Sequence, residues 1–162
     1  MRLGRCLPRA ALVLALNAVL FAGPSTHLHA QTVSEQRESA VRLSRAGQKA
    51  EAQRQLRALL AAGREDGFVA MDLVTLLQQD GQAAEAVAVF EKANPPEPPD
   101  YALLAATRAY RDLGRPADAE RLARRGLARF PREPTWALLL SLVLSEQEKT
   151  AEARAVLTRP PA

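Results

Sequence analysis

Thiol, imidazole and metal chemistry have three candidate residues in this sequence, Cys6, His27 and His29, and all lie within its first 30 residues. Arg2, Arg5 and Arg9 stand ahead of an apolar run over residues 10–22, interrupted only by Asn17. Gly23, Pro24 and a short polar stretch ending Leu28-His29-Ala30-Gln31 follow. A positive start, an apolar middle and a small-residue end make a secretory signal peptide. The run is shorter than the roughly 18–20 residues that a membrane span needs. Cleavage is expected after Ala30. Leu28 is larger than the cleavage pattern prefers, so neighbouring bonds stay open as alternatives. Cys6 precedes the apolar run, the wrong side for a lipid-modified cysteine. A chain cut at this point carries neither Cys nor His. Thiolate and imidazole catalysis, a disulfide and the usual zinc sites are then excluded, and no enzyme activity or cofactor is expected.

The leader also changes the charge. Of the 22 basic residues, three arginines fall in it, which leaves 19 against 18 acidic ones. The high isoelectric point therefore belongs to the leader and gives no ground for a nucleic-acid or anionic-membrane partner.

Carboxylates and guanidinium groups remain. Glu51, Glu85 and Glu152 recur at one place in a repeated phrase: Gly47-Gln-Lys-Ala-Glu-Ala52, Gly81-Gln-Ala-Ala-Glu-Ala86, Gly114-Arg-Pro-Ala-Asp-Ala119 and Glu148-Lys-Thr-Ala-Glu-Ala153. The final alanines are 34, 33 and 34 residues apart. A catalytic carboxylate pair sits once, in one cleft, so this regularity points to architecture rather than to acid–base work. No glycine-rich phosphate loop or nucleophile motif is present. The run Arg121, Arg124, Arg125 and Arg129 fits either an anionic docking strip or a solvated face. The second is preferred, because Asp118 and Glu120 lie at helical spacing from it.

The elements that hold these residues read as helix, turn, helix in every unit. In the third, Tyr101, Leu104, Ala105, Thr107, Arg108 and Tyr110 share a helix that closes near Gly114, where glycine suits a left-handed cap. Pro116 opens the next helix, a position that tolerates its missing N–H. Ala119, Leu122, Ala123, Gly126 and Leu127 form its apolar stripe, and Phe130-Pro131 ends the unit. Ala52, Ala86, Ala119 and Ala153 fall where two helices must come close. Pro95, Pro96, Pro98 and Pro99 stiffen the connector over residues 94–100, read as a loop in preference to a slight hinge. Gln36 and Ser39 put polar groups on the inner face of the first helix, which is expected to fray. In the fourth unit Trp136, Leu139, Leu140, Val143 and Leu144 make a strongly apolar first helix. The second runs from near Thr150 to about Thr158, where Pro160 and Pro161 stop it. Its Ala153, Val156 and Leu157 face is expected to lie exposed, so that the chain self-associates or frays there.

This pattern resembles the tetratricopeptide repeat (TPR) family over about residues 33–159. Tyr110, Gly114, Ala119 and Pro131 hold consensus positions in the third unit, as do Leu73, Leu77, Gly81, Ala86, Phe90, Ala93 and Pro98 in the second. Gln36, Ala70, Leu103 and Ala137 stand where the family has tryptophan, and Glu148 where it has the turn glycine. The resemblance implies an all-α solenoid, a right-handed superhelix of about four repeats: residues 33–66, 67–99, 100–133 and a partial 134–162, after a signal peptide at 1–30. It also implies that the first helices line a concave groove. That groove would receive Arg37, Val41 and Ser44, then Phe68, Met71, Thr75 and Gln78. The third unit would add Tyr101, Leu104, Arg108, Arg111 and Asp112, and the fourth Thr135, Leu138, Leu142, Ser145 and Glu146. Tyrosine and arginine are favoured at binding hot spots. The family's clamp for chaperone C-termini is not expected, because Arg37, Val41 and Asp72 occupy its positions.

A narrower resemblance lies in Tyr101-Ala-Leu-Leu-Ala-Ala-Thr-Arg-Ala-Tyr-Arg-Asp-Leu-Gly114 and the helix after it. The run is similar to the N-terminal periplasmic region of poly-β-1,6-N-acetylglucosamine export porins. That implies a periplasmic scaffold that engages the amino-sugar polymer, the periplasmic deacetylase, or both. No series of alternating strands is present here, so this chain would be the part ahead of an outer-membrane barrel. The alternative is a stand-alone periplasmic adaptor between proteins. Either reading implies protein or amino-sugar polysaccharide partners, no nucleic acid, and no membrane span once the leader is removed.

Overall fold

Four turns of one design set the architecture. A computed structural model of the chain describes residues 32–64 and 67–158. In it Gly47, Gly81, Gly114 and Glu148 take φ of +82°, +74°, +66° and +63°. Beside each, a backbone N–H reaches back five residues at 2.9 Å: Gln48 to Leu43, Gln82 to Leu77, Arg115 to Tyr110 and Lys149 to Leu144. A left-handed residue with such a bond closes a helix and reverses the chain. The helices so joined are α1 (Val33–Arg45) with α2 (Lys49–Ala61), α3 (Val69–Gln79) with α4 (Ala83–Ala93), α5 (Asp100–Asp112) with α6 (Pro116–Arg129), and α7 (Pro134–Glu146) with α8 (Thr150–Thr158). Among the described residues there is no strand, and no helix is long and apolar enough to cross a membrane. The expected leader over residues 1–30 with Cys6, His27 and His29, the expected cut before Gln31, and Pro160 and Pro161 lie outside the described residues.

Each helix packs on the next, and the first helices also meet one another: α1 on α3 and α3 on α5. The small residues allow this approach, since Ala52, Ala86, Ala119 and Ala153 are all buried. Burial of Ala153 corrects the expectation that it would be exposed, because α8 seats it against Leu140 and Leu144 of α7. Val156 is half-buried, and Leu157 is exposed as expected. The expected fraying of α1 is also corrected. The Thr32 hydroxyl accepts from the Glu35 N–H at 3.2 Å, while the Glu35 carboxylate accepts from the Thr32 N–H at 2.7 Å. This reciprocal capping box satisfies two donors that would otherwise lack partners.

The proline connector is a loop, and it is tied down. Arg125 donates to the carbonyl of Pro96, and Arg129 Nη1 donates to that of Pro98 at 2.7 Å. The other arginines of the run have carboxylate partners: Arg121 pairs with Asp118 at 3.2 Å, and Arg124 with Glu120 at 2.7 Å and Glu152 at 2.9 Å.

Candidate binding surface

Asp72 joins three first helices. From α3 it accepts a hydrogen bond from Tyr101 Oη of α5 at 2.7 Å and pairs with Arg37 Nη1 of α1 at 3.3 Å. The Arg37 guanidinium also lies 5.2 Å from the ring centre of Phe68, a cation–π distance. The side chains of Arg37 and Asp72 keep only 21% and 11% of their surface exposed, so their attraction is screened less than that of a surface pair. Two adjoining cavities, of about 300 and 510 Å³, open beside this cluster. Val41, Ser44 and Thr75 line the first, and Arg42 and Arg45 line the second. The place therefore offers an apolar patch, two hydroxyls and guanidinium groups side by side.

A second cluster lies on α5 and α7. Arg111 approaches Glu146 at 3.6 Å and Asp112 at 3.4 Å. Asp112 and Glu146, both placed in the groove from the sequence, thus face a guanidinium. Arg108 and Leu138 are exposed and Gln78 is half-buried, outside both clusters. Met71 is a correction: it is 1% exposed and belongs to the core where α3 meets α5, so it lines no groove. Asp72, read from the sequence only as a departure from the chaperone clamp, is the residue at the centre of the first cluster. Its signal is periodic, because Arg37 lies one repeat period and one residue before it.

The second helices carry charges of a different use. Arg57 of α2 grips Glu85 of α4 with two hydrogen bonds, at 2.7 and 2.8 Å. Arg124 of α6 meets Glu152 of α8 at the equivalent positions through one hydrogen bond, at 2.9 Å. At the middle seam the equivalent positions hold Glu91 and Asp118, two like charges. Arg115 stands between them, 2.9 Å from Glu91 and 2.8 Å from Asp118. It also lies 4.6 Å from the ring centre of Tyr110, whose hydroxyl donates to Glu91 at 3.0 Å. Burial, then the Glu91 carboxylate, pushes the Tyr110 phenol up to about 12. Burial pulls Asp118 upward, but Arg121 and Arg115 outweigh it and leave the carboxyl below its ordinary range. At the third seam the Lys149 ammonium, helped by Arg124 and Gln147 against burial, holds Glu120 at about 2. Seam charges are thus paired between repeats.

No curated protein matches the chain. A tetratricopeptide fold is typically a scaffold for protein–protein contacts and not an enzyme. Residues 104–160 match the family model of the tetratricopeptide repeat, and the described residues fold as an all-α solenoid of this type with about four repeats.

Proposed function

We propose that this chain is an exported scaffold that binds an extended segment of a protein partner across α1, α3 and α5. The Asp72 cluster carries the reading. It fixes Arg37 and Tyr101 in place before any ligand arrives, which lowers the ordering cost of binding. Phe68 and Tyr101 offer aromatic surface, and the two cavities beside them offer volume for side chains. Export rests on the order of residues 1–30, with the periplasm as the destination of the mature chain.

Peptides selected from a random display library on the wild-type chain test this. Asp72→Ala/Tyr101→Ala should lose those peptides, whereas Arg121→Ala/Arg124→Ala should keep them. Loss confined to the α6 pair would overturn the reading. The intact mass of protein recovered from the envelope tests export, because retention of residues 1–30 contradicts it.

A second reading, the periplasmic part of an amino-sugar polymer exporter, is favoured by the resemblance of residues 101–114. Tyr101 and Phe68 would stack on sugar faces, and Asp112 and Glu146 would have to leave Arg111 to meet amines. Titration with partially deacetylated β-1,6-glucosamine oligosaccharides and with the deacetylase separates the two. Saturable oligosaccharide binding that Tyr101→Ala abolishes would favour the polymer.

A further inference from the structure

Arg45 lines both cavities beside the Asp72 cluster, and it is exposed. Among the described residues, three arginines and two carboxylates line that pair of cavities: Arg37, Arg42 and Arg45 against Glu38 and Asp72. Both carboxylates are committed elsewhere. Asp72 meets Arg37 Nη1 at 3.3 Å and the Tyr101 hydroxyl at 2.7 Å. Glu38 faces Arg42 at 4.0 Å, as far apart as an ion pair reaches. Among the described residues no carboxylate pairs with Arg45. The cluster on α5 and α7 is balanced the other way, with Asp112 and Glu146 both on Arg111. A cation in the last turn of α1 also suits the helix dipole, but the dipole calls for no cavity beside it. Here the cavity of about 300 Å³ sets Arg45 next to the Ser44 hydroxyl and the Gln79 amide, with Val41 and Leu76 as its apolar lining.

We propose that the partner segment is acidic, and that it sets a side-chain carboxylate on Arg45 with a neighbouring aliphatic side chain in the smaller cavity. This rests on the function proposed above and adds the chemistry of what is bound. A guanidinium takes a carboxylate through two parallel N–H bonds, and the Ser44 hydroxyl and Gln79 amide are further donors beside it. Val41 and Leu76 offer the apolar contact. A basic segment would bring its cation against Arg45 and find Asp72 already holding two donors. A partially deacetylated amino-sugar polymer, itself cationic, meets the same repulsion.

Fluorescence anisotropy tests it with the peptides selected on the wild-type chain, made with amidated C-termini, and with counterparts carrying Asn and Gln for Asp and Glu. The selected peptides should be rich in acids beside Leu, Ile or Val. Arg45→Ala, with unchanged helical circular dichroism, should weaken them about tenfold, the scale of one hydrogen bond between charged groups. The uncharged counterparts should bind the wild type that much more weakly, yet bind Arg45→Ala no worse than the acidic peptides do, which marks a direct pair. Arg121→Ala should change nothing, and added salt should narrow the gap. Peptides that need Asp72 and Tyr101 but carry no excess of acids would overturn this inference and leave the function proposed above standing. So would acidic peptides that lose as much on neutralisation without Arg45 as with it. Binding lost on amidation would overturn it in favour of a chain terminus. Peptides indifferent to Asp72→Ala/Tyr101→Ala would overturn both.

Discussion

The indole of Trp136 fills the space that a side chain on Gly126 would need. A Cβ at Gly126 would lie 2.2–2.3 Å from three indole carbons, far inside contact distance. The ring is held from two further sides. Its Nε1 donates to Asp100 at 2.7 Å, and Phe130 stacks on it at 6.4 Å between ring centres. Two consecutive repeats are keyed together at this point, large residue into small.

Gly126→Ala should therefore destabilise the chain. In an exposed helix interior the change would gain about 1 kcal/mol of helix propensity. Here the methyl group overpacks the seam, at a typical cost of about 1–3 kcal/mol. Urea unfolding of the two proteins decides the sign. A more stable Gly126→Ala variant would mean that α6 and α7 are not in this register.

Glu148→Gly should stabilise by about 1 kcal/mol, the usual cost of holding a non-glycine residue in the left-handed region. Glu148 makes the same turn as Gly114 at nearly the same φ, +63° against +66°. Gly114→Ala should cost a similar amount. Thermal melts of the pair check both, and a Glu148→Gly melt at or below wild type contradicts the strain.

Much of this fold is legible because one period governs it. The phrase around Ala52, Ala86, Ala119 and Ala153 fixes the turns and the close helix contacts, since each is a local requirement repeated four times. The surface was less legible. Met71 reads as groove-facing by register, yet it is buried, because burial depends on how far α5 leans over α3. Ala153 has a similar history, covered by Leu140 and Leu144 from across the pair. Arg37, Asp72 and Tyr101 come from three repeats, and their meeting depends on the offset between first helices, which no local pattern encodes. The ties from Arg125 and Arg129 to proline carbonyls leave no trace in charge pairing, because their acceptors are backbone.

Glu120 should make the third seam sensitive to acid. Its folded pKa of about 2 lies below the ordinary 4.5, so the folded state binds its proton more weakly than the unfolded one. The linked stability is fully present above about pH 4.5 and is lost as pH falls towards 2. Its partners Lys149 and Arg124 are 40% and 48% exposed, so screening reduces the effect to the order of 1 kcal/mol. Urea midpoints from pH 2 to 6 for wild type and Glu120→Gln check it. The gap between the two should close towards pH 2, and a constant gap would show that the Glu120 charge is not linked to folding.

Arg115 should matter more than its exposure implies. The outer seams pair an arginine with a carboxylate, Arg57 with Glu85 and Arg124 with Glu152, whereas the middle seam sets Glu91 opposite Asp118. Removing Arg115 leaves those two carboxylates facing one another and takes the cation from the Tyr110 ring. Arg115→Gln should thus lower the melting temperature more than Arg121→Gln, which loses only its bond to Asp118. The decisive variant adds Glu91→Arg to Arg115→Gln, which rebuilds at the middle seam the charge order of the outer two. It should recover much of the lost stability, even though Tyr110 gives up its acceptor. High salt should shrink the differences among all four proteins, since screening weakens repulsion and attraction alike. If Glu91→Arg deepens the loss in the Arg115→Gln background at low salt, the like-charge account of this seam is wrong, and Arg115 acts through its contact with Tyr110 alone.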